Sequence, residues 1–262
     1  MERALEQQWV PPVRPADLPP GVRRRQERRS VSTKNTLRVN FPYVPVTQDV
    51  LVRNRLVAAI KTSQHREAYS VLQADVVGQM TENEWVSVGI TSPATGVGKT
   101  LTAINLSIAL ATQASRKVLL LDLDLDHPSV HRYFEVKPKL GLEDCLFEGM
   151  ALSEAAFQTG IDGLVVLPAR GAKRNATQIL RLDSLRKLLN TIKKDHPDRL
   201  VIVDLPPITS VARARTYTSL VDSTLLIVED TATREAHQRK ALALIGKSPL
   251  LGIVLNRTEA TA

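Results

Sequence analysis

The sequence predicts an α/β fold: a doubly wound, mostly parallel β-sheet with helices on both faces, preceded by a disordered N-terminal tail. Three observations carry that expectation. Apolar runs of strand length, such as Val118-Leu119-Leu120-Leu121 and Leu200-Val201-Ile202-Val203, alternate with segments of helical period. Strands apolar on both faces belong to a parallel sheet sandwiched between helices. The composition, 43% hydrophobic but only 4% aromatic, suits a sizeable aliphatic core. Finally, a strong strand pattern from Trp85 to Ile90 runs through a small-residue loop directly into a strong helix.

In chain order, residues 1–47 hold seven of the fifteen prolines and the cluster Arg23-Arg24-Arg25 with Arg28-Arg29, without sustained period. They read as a Pro/Arg-rich tail, with an apolar island at 40–46 expected to be extended and docked. The folded domain is expected over 48–258. Periodicity at 49–62 (Val50, Leu51, Val57, Ile60) and 65–80 (Tyr69, Leu72, Val76, Val77) predicts two leading helices. After the strand at 85–90 comes a helix carrying Leu101, Ile104, Leu106, Ile108 and Leu110. The strand 117–121 follows, then a short helix with Val130, Tyr133 and Phe134, entered at Pro128. Helical pieces at 142–148 and 151–158 precede the strand 164–167. A helix near 176–194, the strand 200–203, a further helix, the strand 224–228, a helix near 233–246 and a last strand 251–255 complete the alternation.

Formal charge is +8, and residues 1–34 carry eight Lys/Arg against four Asp/Glu, half of that excess. Such a basic arm suits nucleic acid, anionic lipid or an acidic partner, or simply solubilises. No apolar run is long enough to span a bilayer, and the N-terminus lacks the apolar segment of a signal peptide. The single cysteine, Cys145, excludes an internal disulfide and reads as a buried thiol in a helical pattern. A cytoplasmic protein without a transmembrane segment is expected.

The loop Ser92-Pro93-Ala94-Thr95-Gly96-Val97-Gly98 followed by Lys99-Thr100 has the features of a phosphate cradle. Glycines let the amides of Gly96 to Thr100 converge on an anion at the positive end of a helix. Lys99 would reach the β- and γ-phosphates, and the Thr100 hydroxyl would ligate Mg²⁺. Pro93 stands where the strict GxxxxGK[ST] pattern has its first glycine. Asp122, Asp124 and Asp204 lie at the ends of apolar strands, which in a parallel sheet meet beside such a loop. Asp204 is the expected metal-side carboxylate. Asp122 and Asp124, alternate residues on one strand face, offer a second metal-side ligand and a base for an incoming hydroxyl. Asp126 would share their face. His127 and His131, four residues apart, read as a solvent-facing pair on a helix, or as a metal clamp lacking a third ligand.

The stretches TSPATGVGKTLTAINLSIAL, VLLLDLDLDHPSVHRYF, GLEDCLFEG, VIVDLPP and LLGIVLNR resemble the bacterial tyrosine kinases of exopolysaccharide biosynthesis (the CpsD/CapB type), a branch of the MinD/ParA-like P-loop ATPases. The resemblance runs from about Glu67 to Arg257. It implies a P-loop NTPase fold that takes ATP and Mg²⁺. The Walker A loop would lie at 92–100, with Thr95, Gly96, Val97, Gly98, Lys99, Thr100 and Leu101 around the nucleotide. Walker A′ and B motifs would lie at 119–124 and 201–204. Lys99 and Asp122 would be catalytic, Asp122 activating a tyrosine hydroxyl. Thr100, Asp124 and Asp204 would serve Mg²⁺, and Asn256 would contact adenine. The resemblance also implies a partner, the cytoplasmic segment of a membrane polysaccharide chain-length or export protein, which would recruit the chain to the inner face of the membrane. It allows a homo-oligomer as well.

Departures from the family pattern bear on activity. No tyrosine follows Tyr217, where the kinases carry a tyrosine-rich tail. Asp126 and His127 stand where relatives carry arginine, and Arg213 where an aspartate is frequent. Glu67, Ser70 and Gln73 occupy the positions of an E-x-x-R-x-x-R oligomerisation motif. Ala94 takes the place of the signature lysine of MinD and ParA proteins, which disfavours a nucleic-acid-linked ATPase. The resulting expectation is an ATP-dependent tyrosine autokinase regulating exopolysaccharide synthesis or export, with Tyr43 as candidate acceptor. The alternative is a nucleotide-dependent regulator without kinase activity.

Overall fold

The structure, a computed structural model, describes residues 6–10, 41–63, 65–171, 182–208, 214–229, 241–245 and 248–258. Strand β1 (Glu6–Val10) precedes helix α1 (Gln48–Arg53), a 3₁₀ turn (Val57–Ala59) and helix α2 (Arg66–Glu82). Strand β2 (Ser87–Thr91) leads through the glycine loop into α3 (Lys99–Thr112) and β3 (Lys117–Asp122). Three short helices follow, α4 (Val130–Tyr133), α5 (Leu142–Phe147) and α6 (Leu152–Ala155). Then come β4 (Phe157–Gln158), β5 (Leu164–Leu167), α7 (Leu182–Asp195), β6 (Arg199–Asp204), α8 (Ala214–Thr218), β7 (Ser223–Glu229) and β8 (Leu250–Thr258).

The strands form one sheet in the order β1-β8-β7-β2-β6-β3-β5-β4. The six inner strands are parallel, and the two edges, β1 and β4, are antiparallel. Because β6 lies between β2 and β3 yet follows both in sequence, the crevice beyond the carboxyl ends of these strands is a topological switch point. Register makes the crevice acidic: Asp204 pairs level with Ile90 on one side and with Asp122 on the other.

Strand alternation divides the core into two layers. Leu119, Leu121, Val201 and Val203 pack toward α7, whose Leu185, Leu189 and Ile192 recur at helical spacing. Leu120 and Ile202 pack toward α3 and α2 on the opposite face. Helix α3 is buried on all sides from Thr102 to Ala111. The sheet covers one flank, and α2 with the 3₁₀ turn covers the other. This encasement fixes the helix whose first residue is Lys99.

Four expectations need adjustment. The single helix over 49–62 is broken: α1 ends at Arg53, Arg55 takes a left-handed φ of 57°, and a 3₁₀ turn follows. The cause is tertiary, since Asn54 bonds the carbonyl of Tyr133 at 3.0 Å and Leu56 is fully buried. The helical piece 151–158 stops at Ala155, because Phe157 and Gln158 pair with Val166 and Val165 as an edge strand. Within the segment read as a tail, Glu6–Val10 is a strand beside β8, its register set by Gln8 opposite Leu255 and Trp9 opposite Val254. His127 and His131 do not share a helix face, as α4 begins only at Val130; His127 is exposed and His131 half-buried.

The island at 41–46 docks on β4: Phe41 is buried, and the amides of Val44 and Val46 bond the carbonyls of Gln158 and Thr159 at 2.8 and 3.0 Å. Residues 241–245 and 182–195 are helical, while 176–181 and 233–240, the arginine cluster at 23–29 and Arg213 lie outside the described residues.

Candidate functional site

The loop after β2 is anchored where it leaves the strand. Thr91 donates its hydroxyl to the carbonyl of Pro206 at 2.8 Å, and the Ile208 amide bonds the Ser92 carbonyl at 2.9 Å. Gly96 and Gly98 have φ of 78° and 95°, which L side chains rarely adopt. At Gly98, the residue capping α3, a β-carbon would also lie 2.2 Å from Asn256 Nδ2. Glycine is therefore required there twice over.

Lys99 and Thr100 open the helix beside the three aspartates. The Lys99 ammonium lies 2.9 Å from Asp124 Oδ2 and 3.2 Å from Asp204 Oδ1. Thr100 donates its hydroxyl to Asp204 Oδ2 at 2.7 Å, and Ser129 Oγ approaches Thr100 Oγ1 to 3.3 Å. Burial alone would depress the Lys99 pKa, but Asp204 and Asp124 outweigh it and raise it. The ammonium therefore stays charged. Asp204, fully buried, has its pKa raised by that burial against the opposing pull of Lys99.

Asp122 is used differently. Its Oδ2 accepts the amides of Ser129 and Val130, both at 3.1 Å, and its Oδ1 accepts the Asp124 amide at 3.2 Å. It thus caps α4 and shapes the turn between Asp124 and Ser129. Burial first, and then the charge of Asp204, raise its pKa. Asp122 and Asp124 therefore do not present side by side: Asp124 turns to Lys99, and Asp122 is enclosed behind the turn.

A cavity of about 610 Å³ opens in front of the loop. Of the residues expected from sequence, Thr95, Gly96, Gly98, Lys99, Thr100, Leu101, Asp124 and Asn256 line it. Val97 is buried, its carbonyl accepting a 2.8 Å bond from Asn256 Nδ2. Asp122 and Asp204 lie behind the wall, each 0% exposed. Tyr43, 64% exposed, sits beside β4 at the far edge of the sheet. That edge is four strand spacings from β2 in the sheet order, or roughly 20 Å at about 4.8 Å per spacing.

The opposite wall was not foreseen. It is built from Arg53, Asn54 and Arg55 at the end of α1, Ser129, Arg132 and Tyr133 around α4, and Arg257 on β8. Arg53 clasps Glu135 with two bonds of 2.9 and 3.0 Å, and Arg257 pairs with Glu229. Burial and Asp204 raise the pKa of the half-buried Tyr133, against Lys99, Arg55 and Arg257. The one signal in the sequence was Arg-Asn-Arg at a helix end, and spacing alone does not show which way that end points.

Among the described residues, no three His, Cys, Asp or Glu side chains converge as a ready-made metal cage. Hydroxyl and carboxylate oxygens beside a glycine loop suit instead a hard cation that keeps waters and phosphate oxygens. A parallel sheet with a glycine loop, lysine and threonine at its switch point defines a P-loop nucleotide-binding protein. Residues 88–262 match the CobQ/CobB/MinD/ParA nucleotide binding domain, and the chain belongs to that family.

Among its relatives, the tyrosine-protein kinase CpsD of Streptococcus pneumoniae serotype 4 is 30% identical over 200 residues, covering 74% of this chain and 84% of CpsD. The tyrosine-protein kinase YwqD of Bacillus subtilis is 29% identical over 206 residues, covering 78% and 86%. In fold, the crystal structure of the chimerical protein CapA2B2 superposes with a TM-score of 0.69 at 24% identity, covering 84% of this chain and 94% of that one.

Proposed function

We propose that this protein is an ATP-dependent protein-tyrosine kinase that regulates exopolysaccharide synthesis or export. The observation that carries the reading is the meeting of Lys99, Thr100, Asp124 and Asp204 at the glycine loop, in a chain 30% identical to a tyrosine-protein kinase. ATP would lie along the loop amides, with Lys99 turning from its carboxylates to the β- and γ-phosphates. Thr100 Oγ1, with Asp124 and Asp204 acting through water, would hold Mg²⁺, which neutralises charge on the phosphates when bound. Asn256, which lines the cavity while its amide holds Val97, would contact adenine.

In the transfer itself, a tyrosine oxygen forms a bond to the γ-phosphorus, the bridging oxygen leaves with ADP, and the phenolic proton goes to a carboxylate. Asp122, at the end of the strand beside Asp124 and Asp204, is the proposed acceptor of that proton. Because the amides of Ser129 and Val130 cover it, the turn at 126–129 must open for a hydroxyl to reach it. Tyr43, at the far sheet edge, can serve only a neighbouring copy as acceptor.

No described helix is long and apolar enough to cross a membrane. The proposed partner is the cytoplasmic segment of a membrane polysaccharide chain-length or export protein, which would bring the kinase to the inner face of the membrane. The test is phosphosite mass spectrometry on the purified protein with Mg·ATP and that segment, alongside Lys99→Met. Phosphotyrosine in the wild type and none in the variant is the expected result. ATP binding without phosphotyrosine would overturn the kinase reading in favour of a nucleotide-dependent regulator.

A further inference from the structure

Arginines reach the cavity from three elements: Arg53 and Arg55 at the end of α1, Arg132 on α4 and Arg257 on β8. Two are already neutralised, Arg53 by Glu135 and Arg257 by Glu229. Arg55 is exposed, and among the described residues its guanidinium has neither a hydrogen bond nor an ion pair.

Its backbone, in contrast, is tightly fixed. The left-handed position after a helix is ordinarily taken by glycine, yet here it holds an arginine with φ of 57°. The Arg55 amide bonds the Val52 carbonyl at 3.1 Å, and the next residue, Leu56, is fully buried. The Arg55 carbonyl accepts a 3.0 Å bond from Asn105 Nδ2, which also donates to the Leu101 carbonyl at 3.1 Å. Asn105 Oδ1 accepts the Ala58 amide at 3.0 Å. Asn105 is itself fully buried on α3, so it fastens the Arg55 loop to the helix that begins with Lys99. An unfavourable conformation is thus held in place to set an unpaired cation on the wall facing the phosphate loop.

We infer that Arg55 binds the phosphate chain of the nucleotide, supplied from within the same chain, and that Asn105 is its positioning residue. The inference rests on the nucleotide-binding reading above. A guanidinium offers paired donors that match phosphate oxygens. Arg55, Arg257 and Lys99 all line the one cavity in front of the loop, around Tyr133.

The test is calorimetric titration of the full chain with Mg·ADP and Mg·AMP-PNP, comparing wild type with Arg55→Gly, Arg55→Lys and Asn105→Ala. Arg55→Gly is expected to raise Kd about tenfold or more. Its Tm should stay level or rise, because glycine takes this backbone readily. Arg55→Lys should recover part of the affinity. Asn105→Ala should weaken binding in the wild type but add nothing in an Arg55→Gly background, a coupling that a merely structural asparagine would not show. Wild-type affinity in Arg55→Gly overturns the inference, including the case where only the KM for an acidic tyrosine peptide rises. Failure of the wild type to bind either nucleotide would remove the nucleotide reading and this inference together.

Discussion

The side-chain amide of Asn256 donates a 2.8 Å hydrogen bond to the carbonyl of Val97, joining the last strand to the middle of the phosphate loop. Asn256 is buried, and its amide nitrogen fills the space where a β-carbon on Gly98 would stand. The glycine and the asparagine are therefore one device: the first makes room, and the second holds the loop's carbonyl.

Asn256→Ala should release that hold. We expect a loss of about 1 kcal/mol of stability and a nucleotide Kd about tenfold higher. Asn256→Asp should do no better, since a carboxylate cannot donate to Val97. Thermal unfolding and calorimetry check both. Unchanged affinity in the two variants would show that the loop keeps its shape without the strand.

A second prediction concerns the other end of the sheet, where Asp222 ties three elements together. Its Oδ2 accepts the amides of Val86 and Ser87 and the Ser87 hydroxyl, all at 2.9 Å, while Oδ1 takes Lys193 at 2.8 Å. Burial would raise its pKa, but the donors outweigh it and hold the carboxyl below its ordinary value. A depressed folded-state pKa gives stability that is present above the unfolded value, about 3.9, and lost as pH falls through the folded one. Asp222→Asn should therefore cost about 2 kcal/mol at neutral pH, with the difference shrinking below about pH 4. Urea unfolding at pH 7 and pH 3 would measure it, and an equal gap at both would exclude a charge-based role.

The third prediction is chemical inertness at Cys145. Burial first, and then Asp144, Glu154 and Glu143, push its thiol from 9.0 up to about 11. Only the thiolate alkylates, so at pH 8 iodoacetamide should label it about a hundredfold more slowly than an ordinary thiol. The rate should climb with pH until the thiol ionises. Labelling at the speed of a free thiol would show that α5 opens in solution.

Local pattern alone made a large part of the fold legible. The strands at 118–121 and 200–203 were readable because both their faces are covered, which forces continuous apolar runs. The glycine loop was readable because its backbone demands glycine at Gly96 and Gly98. Asp204 and Asp124 were readable from their places after strands. The division of labour between Asp122 and Asp124 was not, since strand alternation ends at Asp122 and the following turn sends Asp124 to Lys99. Nor was the arginine wall legible. Arg55 is placed by Asn105, 50 residues away, and a buried asparagine in the midst of a helix gives no hint of its partner. Strand β1 was hidden for a related reason, because its pairing depends on the open edge of β8.

The last prediction concerns the variant used to abolish activity. Lys99 is the cation bonded to two buried carboxylates, Asp124 and Asp204. Its raised folded-state pKa means that its contribution to stability is fully present below the unfolded value of about 10.4 and is lost only as pH rises through the folded one. At neutral pH, Lys99→Met removes that contribution and leaves buried negative charge uncompensated, at a cost of about 3–5 kcal/mol. The lost kinase activity would then be mixed with lost fold. Two signatures separate them. Because Asp204 can take up a proton, Lys99→Met should regain stability relative to wild type as pH falls from 8 toward 5. Adding Asp204→Asn should restore much of the Tm at pH 8 while phosphotransfer stays absent. Thermal unfolding of wild type, single and double variants across that range is the measurement. A Tm deficit that is independent of pH and untouched by the second substitution would place the cost in packing, not in the unpaired carboxylates.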